Sequence, residues 1–223
     1  MSAMEQLYTA VLEGDAKSSA LLTAQALEAG ADPMSLITGA MVPAMDEAGR
    51  RFEAEDYFVP ELLLAARAMK ASMVLIRPLL VASGAKSLGR VAVGTVKGDL
   101  HDIGKNLVAS MLEGGGFDVI DLGADVPPEK FIEAVKDKGA QVVCLSALLT
   151  VTMPAMKTTI EALKAAGVRD NIKILVGGAP VTAQYATEIG ADGFGENANS
   201  AVALTRRMLV EQVADAQLLS EGK

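Results

Sequence analysis

The first eighty residues place apolar side chains at helical spacing. Leu7, Val11 and Leu12 share one face of a helix expected to end near Gly14 and Asp15. A second helix is predicted from Ala16 to Glu28, closed by Gly30. Asp32-Pro33 then sets a capping side chain just ahead of a proline at the first helical position. The third helix that follows turns Leu36, Ile37, Met41, Val42 and Met45 toward one side and ends near Phe52. A fourth begins near Pro60 and carries Leu62, Leu63, Ala66, Met69, Met73 and Ile76. Four helices joined by short loops predict an antiparallel bundle. The stretch Val81 to Gly89 is small, polar and glycine-containing, and marks a linker between a helical domain over 1–88 and a second domain over 89–223.

Beyond the linker the rhythm changes. Short apolar, β-rich runs fall at Arg90–Val96, Phe117–Leu122, Gln141–Leu145, Ile172–Val176 and Ala191–Gly193. Helical patterns lie between them, near 104–113, 128–138, 153–166 and 180–189, with a last one near 198–215. Strands alternating with helices predict a parallel sheet covered on both faces. Such sheets bind ligands beyond the carboxyl ends of their strands.

Composition sharpens this picture. The hydrophobic share of 51% and charged share of 22% are those of an ordered globular protein. Aromatics make up only 4% and Trp is absent, so the cores rest on Ala, Val, Leu, Ile and Met. The net charge of −8 comes with no Lys/Arg run, which argues against nucleic acid. The start mixes charged and apolar residues and lacks a secretory pattern, and the most apolar stretch, Met73 to Ala82, contains Arg77 and Pro78. A single Cys allows no internal disulfide. A cytoplasmic protein without membrane attachment is therefore expected. Cys144 lies in an apolar strand and reads as core.

The loops after the strands hold the chemistry. The first runs Gly94-Thr-Val-Lys-Gly98-Asp99-Leu-His101-Asp102-Ile103-Gly104-Lys105 and contains the only His of the chain. A carboxylate two residues away can bind one ring nitrogen and leave the other for a metal. Two familiar motifs fail here. A phosphate-binding loop needs four residues between its glycines and a Ser or Thr after Gly-Lys; five separate Gly98 from Gly104, and Asn106 follows Lys105. No G-x-G-x-x-G follows the strand, which argues against a dinucleotide. One His and one Cys make a poor zinc site. A lone nitrogen ligand makes more sense for a metal that brings its own macrocycle. After the third strand comes Ser146-Ala-Leu148-Leu-Thr150-Val-Thr152, and after the fourth Gly177-Gly178. All three loops fall at one edge of the predicted sheet.

Asp99-x-His101-x-x-Gly104, Ser146-x-Leu148 and Gly177-Gly178, in this order and on these loops, resemble the signature of the cobalamin-binding domain. That family includes methionine synthase, the carbon-skeleton mutases and the corrinoid proteins of methyltransferase systems. The resemblance implies a flavodoxin-like (Rossmann-like) domain of five parallel strands that binds cobalamin or a related corrinoid. It implies that His101 replaces the dimethylbenzimidazole base as axial cobalt ligand and that Asp99 holds the ring. Thr152 matches the position that completes a His–Asp–hydroxyl relay. The Ser146, Leu148, Thr150 and Gly177-Gly178 segments would line the slot for the displaced nucleotide tail, with Gly98, Asp102, Ile103 and Gly104 completing the cofactor-binding set around His101. The helical half resembles the cap of methionine synthase and of small corrinoid proteins. Gly49-Arg-Arg-Phe52, Tyr57-Phe58-Val59-Pro60 and Ala68-Met69-Lys70 carry this likeness. Phe52 and Val59 match cap positions that contact the methyl group, although the family often has Leu where Val59 stands.

The resemblance covers residues from about 4 to 210 and includes only the cap and the corrinoid domain. It implies a methyl carrier, with no complete reaction of its own, that cycles between cob(I)alamin and methylcob(III)alamin. The implied partners are a substrate-specific methyltransferase, a second methyltransferase that passes the methyl to tetrahydrofolate or coenzyme M, and a reductive activase. The linker at 81–89 would be the hinge on which the cap moves aside. The alternative is a cobalamin-dependent sensor or regulator. Such regulators normally add a DNA-binding helix-turn-helix, for which no residues are expected ahead of the bundle. The methyl donor is not legible in these residues.

Overall fold

The computed structural model describes residues 1–82 and 88–221, so the linker and hinge expected at 81–89 fall, over 83–87, outside the described residues. The chain divides into two compact units. The first is Met1–Leu88 with Ser110–Phe117; the second holds Gly89–Ala109 and the chain from Asp118 onward. The contiguous split expected from sequence therefore differs at Ser110–Phe117, which clusters with the first unit.

In the first unit, α1 (Ala3–Leu12) opens on a capping box. Ser2 Oγ accepts from Glu5 N–H at 3.2 Å, and the Glu5 carboxylate accepts from Ser2 N–H at 2.6 Å. Asp15 caps α2 (Ala16–Glu28) by accepting from Ser18 N–H. α2 packs on α5 (Val59–Ala82) through small hydroxyl side chains. Ser19 Oγ and Ser72 Oγ lie 2.6 Å apart, Thr23 Oγ1 donates to Ser72 Oγ at 2.9 Å, and all three residues are buried. Each hydroxyl has a partner, so burial leaves no polar debt.

The third predicted helix is interrupted. It begins as α3 (Pro33–Leu36), capped by Asp32, widens into a π-turn over Ile37–Met41, and continues as α4 (Val42–Glu53). Pro43 explains the interruption: its ring crowds the carbonyl four residues back, at Gly39, and it has no N–H to donate. A wider turn relieves both conflicts.

The second unit is a five-stranded parallel sheet in the order β2-β1-β3-β4-β5, which is the flavodoxin-like arrangement. The strands are β1 (Arg90–Thr95), β2 (Asp118–Asp121), β3 (Val142–Ser146), β4 (Lys173–Gly177) and β5 (Gly193–Gly195). The helices are α6 (Ile103–Gly114), α7 (Pro128–Lys136), α8 (Pro154–Ala165), α9 (Ala183–Ile189) and α10 (Ala198–Glu221). β1 and β3 are buried along nearly their whole length, as strands covered on both faces must be. Phe131 of α7 fills the core against β1, and Gly94 makes room for it: a Cβ at Gly94 would meet the Phe131 ring at 2.8 Å.

The fifth strand lies two residues later than predicted. The Asp192 carboxylate accepts from Ile174 N–H at 2.6 Å, taking the donor a ladder partner would use, so pairing with β4 starts at Gly193. Among the described residues no helix is long and apolar enough to cross a membrane.

Cys144 sits inside β3, and burial pushes its thiol up to about 12. A thiol unfolded at its ordinary value near 9.0 loses its proton before the folded one does, so stability falls as pH rises between the two. The expected slope is about 1.4 kcal/mol per pH unit. Urea titrations from pH 8 to 10.5 should show that slope as a difference between the parent and a Cys144→Ala variant. Equal slopes would contradict it.

Candidate functional site

The carboxyl ends of four strands meet in one row. Thr95 pairs with Ser146, Ser146 with Gly177, and Gly177 with Gly195. All four residues are small, which leaves this edge of the sheet open. The connections from β1 and β3 leave in opposite directions along the sheet, so the chain switches direction between these two strands. Parallel sheets bind ligands at such a point. The loop after β1 carries His101 and the loop after β3 carries Thr152.

Asp99 joins the two loops. Its carboxylate is fully buried and accepts five hydrogen bonds. Oδ1 accepts from His101 N–H at 3.1 Å and from His101 Nδ1 at 2.8 Å. Oδ2 accepts from the Thr152 hydroxyl at 2.6 Å, and from Leu148 N–H at 2.8 Å and Leu149 N–H at 3.3 Å. Burial alone would raise the Asp99 pKa. The bonds from Thr152, Leu148 and His101 outweigh it and hold the carboxyl well below the usual carboxylate range. An ionised carboxylate only accepts, so the ring proton of His101 sits on Nδ1 and Nε2 offers a lone pair. The backbone of His101 is fixed from its other side too, because the buried Thr95 hydroxyl donates to the His101 carbonyl at 2.9 Å. The His101 side chain remains half exposed.

The loops after β1 and β3 expose several large apolar side chains beside the polar Lys97, Asp102, Asn106 and Thr150. Leu100, Ile103 and Val151 are 76%, 86% and 81% exposed, and Leu148 and Leu149 are exposed as well. Gly104, in the first turn of α6, faces open space where a Cβ would stand. Gly178 has φ +127°, and a Cβ there would strike the Ala147 carbonyl oxygen; at Gly177 it would lie 2.9 Å from the Gly195 carbonyl oxygen. These two glycines therefore let β3, β4 and β5 close up at their ends, a packing demand the sequence motif does not show.

A B12 binding domain model matches residues 89–203, and a second B12 binding domain model matches 3–77. The chain belongs to the B12-binding protein family. It is 49% identical to the trimethylamine corrinoid protein of Methanosarcina barkeri over 187 residues, which is 83% of this chain and 86% of the relative. The crystal structure of a cobalamin-binding protein from Desulfitobacterium hafniense DCB-2 superposes with TM-score 0.77 at 32% identity, covering 92% of this chain and 97% of that one. The methanol:cobalamin methyltransferase complex MtaBC from Methanosarcina barkeri gives TM-score 0.81 at 30% identity, covering 93% of this chain and 80% of that one.

The cofactor of this B12-binding protein is a corrinoid, and the site fits one. Among the described residues no cluster of three or more His, Cys, Asp or Glu side chains stands ready to hold a bare metal ion. His101 supplies one oriented nitrogen, and the exposed apolar rim offers the surface a macrocycle would cover.

The structure brings Gly98, Asp99, His101, Asp102, Ile103 and Gly104 together with Leu148, Thr150 and Thr152 at the switch point, with Ser146, Gly177 and Gly178 along the same strand-end row. Phe52 and Val59 lie on the first unit, at either end of the turn between α4 and α5. Sequence reasoning missed the amide donors of Leu148 and Leu149, since backbone groups leave no mark in residue identity.

Thr152→Val keeps the shape and removes the donor, leaving Asp99 with one bond fewer. The expected loss is about 1–2 kcal/mol of stability. Asp99→Ala strips five donors of their acceptor, and an expected loss of about 3 kcal/mol or more follows. Chemical denaturation of the protein without cofactor measures both, and a Thr152→Val variant as stable as the parent would refute the hydrogen bond from Thr152 to Asp99.

Proposed function

We propose that this chain is a methyl-carrying corrinoid protein that holds its cofactor through His101 and serves a methylamine-specific methyltransferase. A bound corrinoid supplies a cobalt centre that accepts and surrenders a methyl group. The observation that carries the reading is the fixed Nδ1–H of His101 on Asp99, which aims Nε2 outward as the only oriented metal-ligating nitrogen of the chain.

Each residue then has a task. His101 Nε2 would donate its lone pair to the cobalt of a bound corrinoid. Asp99 fixes its tautomer and orientation by accepting from Nδ1 and from the His101 N–H. Thr152 holds Asp99 and completes the relay. Ser146, Leu148, Thr150, Gly177 and Gly178 form the wall for the nucleotide tail, and Gly98, Asp102, Ile103 and Gly104 adjoin the ring system. Phe52 and Val59 are the residues of the first unit that we assign to shielding a bound methyl group.

The high identity to a trimethylamine corrinoid protein over most of both chains supports a methylated amine as donor. The likeness to a corrinoid protein within a methanol methyltransferase complex supports direct docking of the loading enzyme. The second partner transfers the methyl to tetrahydrofolate or coenzyme M, and a reductive activase restores the cofactor after accidental oxidation. The location of this cycle is the cytoplasm.

Reconstitution with hydroxocobalamin and reduction to Co(II) tests the reading. The paramagnetic resonance spectrum should show splitting from one axial nitrogen, and His101→Ala should lose it while the apolar wall still retains corrinoid. A spectrum indifferent to His101 would overturn the axial assignment.

A further inference from the structure

The loop after β2, which no motif singled out, clasps the His101 loop from the side. Gly98 N–H donates to Asp125 Oδ1 at 2.7 Å, and Asp125 N–H donates to the Asp99 carbonyl at 2.9 Å. One residue thus grips the backbone immediately ahead of the axial histidine by both its side chain and its amide. Asp125 does so in a left-handed conformation, with φ +53°, one of two such non-glycine residues among those described. Non-glycine residues persist there only when their surroundings hold them. Val126 anchors the next position by donating to the Thr95 carbonyl at 2.9 Å and bridging to Val96. At the end of β2, the Asp121 carboxylate takes both contacts of the buried Lys105 ammonium, at 2.5 and 2.7 Å. Lys105 belongs to α6, which follows directly on His101. The loop after β2 therefore holds the start of the histidine loop, and the end of β2 holds the helix that follows it.

We infer that Asp125 is a positioning residue for the axial ligand: it fixes Gly98 and Asp99, and through them the direction of the His101 ring. This rests on the axial role proposed above for His101. Asp99 orients the imidazole only as well as its own backbone is fixed. Gly98, with φ +85°, is the one residue in that stretch free to swing. Tying its N–H to a carboxylate removes the freedom.

Two variants separate the carboxylate from the strained backbone. Asp125→Gly adopts φ +53° without cost but has no acceptor. Asp125→Asn keeps an acceptor oxygen and tolerates this conformation well. In the Co(II)-corrinoid protein, the ratio of histidine-ligated to histidine-free signal should fall about fivefold in Asp125→Gly, the scale of one lost hydrogen bond. Asp125→Asn should restore most of it. In the cofactor-free protein, Gly98 N–H should exchange with solvent several times faster in Asp125→Gly than in the parent. A parent spectrum with nitrogen splitting that Asp125→Gly leaves unchanged overturns the inference alone. An Asn variant no better than the Gly variant overturns it as well. A parent spectrum without histidine splitting overturns the axial assignment itself, and the inference with it.

Discussion

The buried carboxylate of Asp99 is the constraint on which the rest of the site depends. Placing a charge out of contact with water is unfavourable by several kcal/mol unless donors surround it. Here five bonds converge on its two oxygens, and three of the donors are backbone amides on two different loops. The charge therefore dictates the path of both loops. It forces the β3–α8 connection to turn its amides inward at Leu148 and Leu149, and it forces the β1–α6 connection to fold His101 back over Asp99. The tautomer of the ring then follows from the charge state of its partner.

That convergence needs a sheet built in this order. β1 and β3 are neighbours, yet their connections depart toward opposite edges, so the loops leaving them are not covered by a crossing helix. The small residues at the strand ends let the neighbouring backbones close up without filling the space beyond them. Gly178 shows how tight this closure is, because no Cβ fits between it and the Ala147 carbonyl. Topology supplies the opening, and the buried charge then sets what faces into it.

Much of this was legible in the sequence. Hydrophobic spacing located the helices and strands because each buries one stripe or both faces, and Asp99, His101 and Thr152 stood out as polar residues on the loops after β1 and β3, where the fold joins their side chains by hydrogen bonds. What escaped depended on main-chain groups or on competition between distant residues. The π-turn over Ile37–Met41 arises from a proline whose effect falls four residues upstream. The shift of β5 arises from one carboxylate capturing the Ile174 amide across the sheet. Asp125 reads in sequence as an ordinary turn residue, since only the fold brings it to Gly98.

The polar and apolar parts of the site are complete to different degrees. Every donor and acceptor that fixes His101 finds its partner within the second unit: Nδ1 and N–H on Asp99, the carbonyl on Thr95. The apolar rim of Leu100, Ile103 and Val151 has no such partner in its own unit and stays open to water. Hydrogen bonds are directional and hydrophobic contact is not. The two therefore divide the work. The internal network sets the direction of one nitrogen before any ligand arrives, so little order is lost on binding. The rim leaves unburied the surface whose covering drives association, at about 25 cal/mol for each Å² removed from water. A site made this way offers broad apolar area to a large ligand and one oriented nitrogen to a metal atom within it.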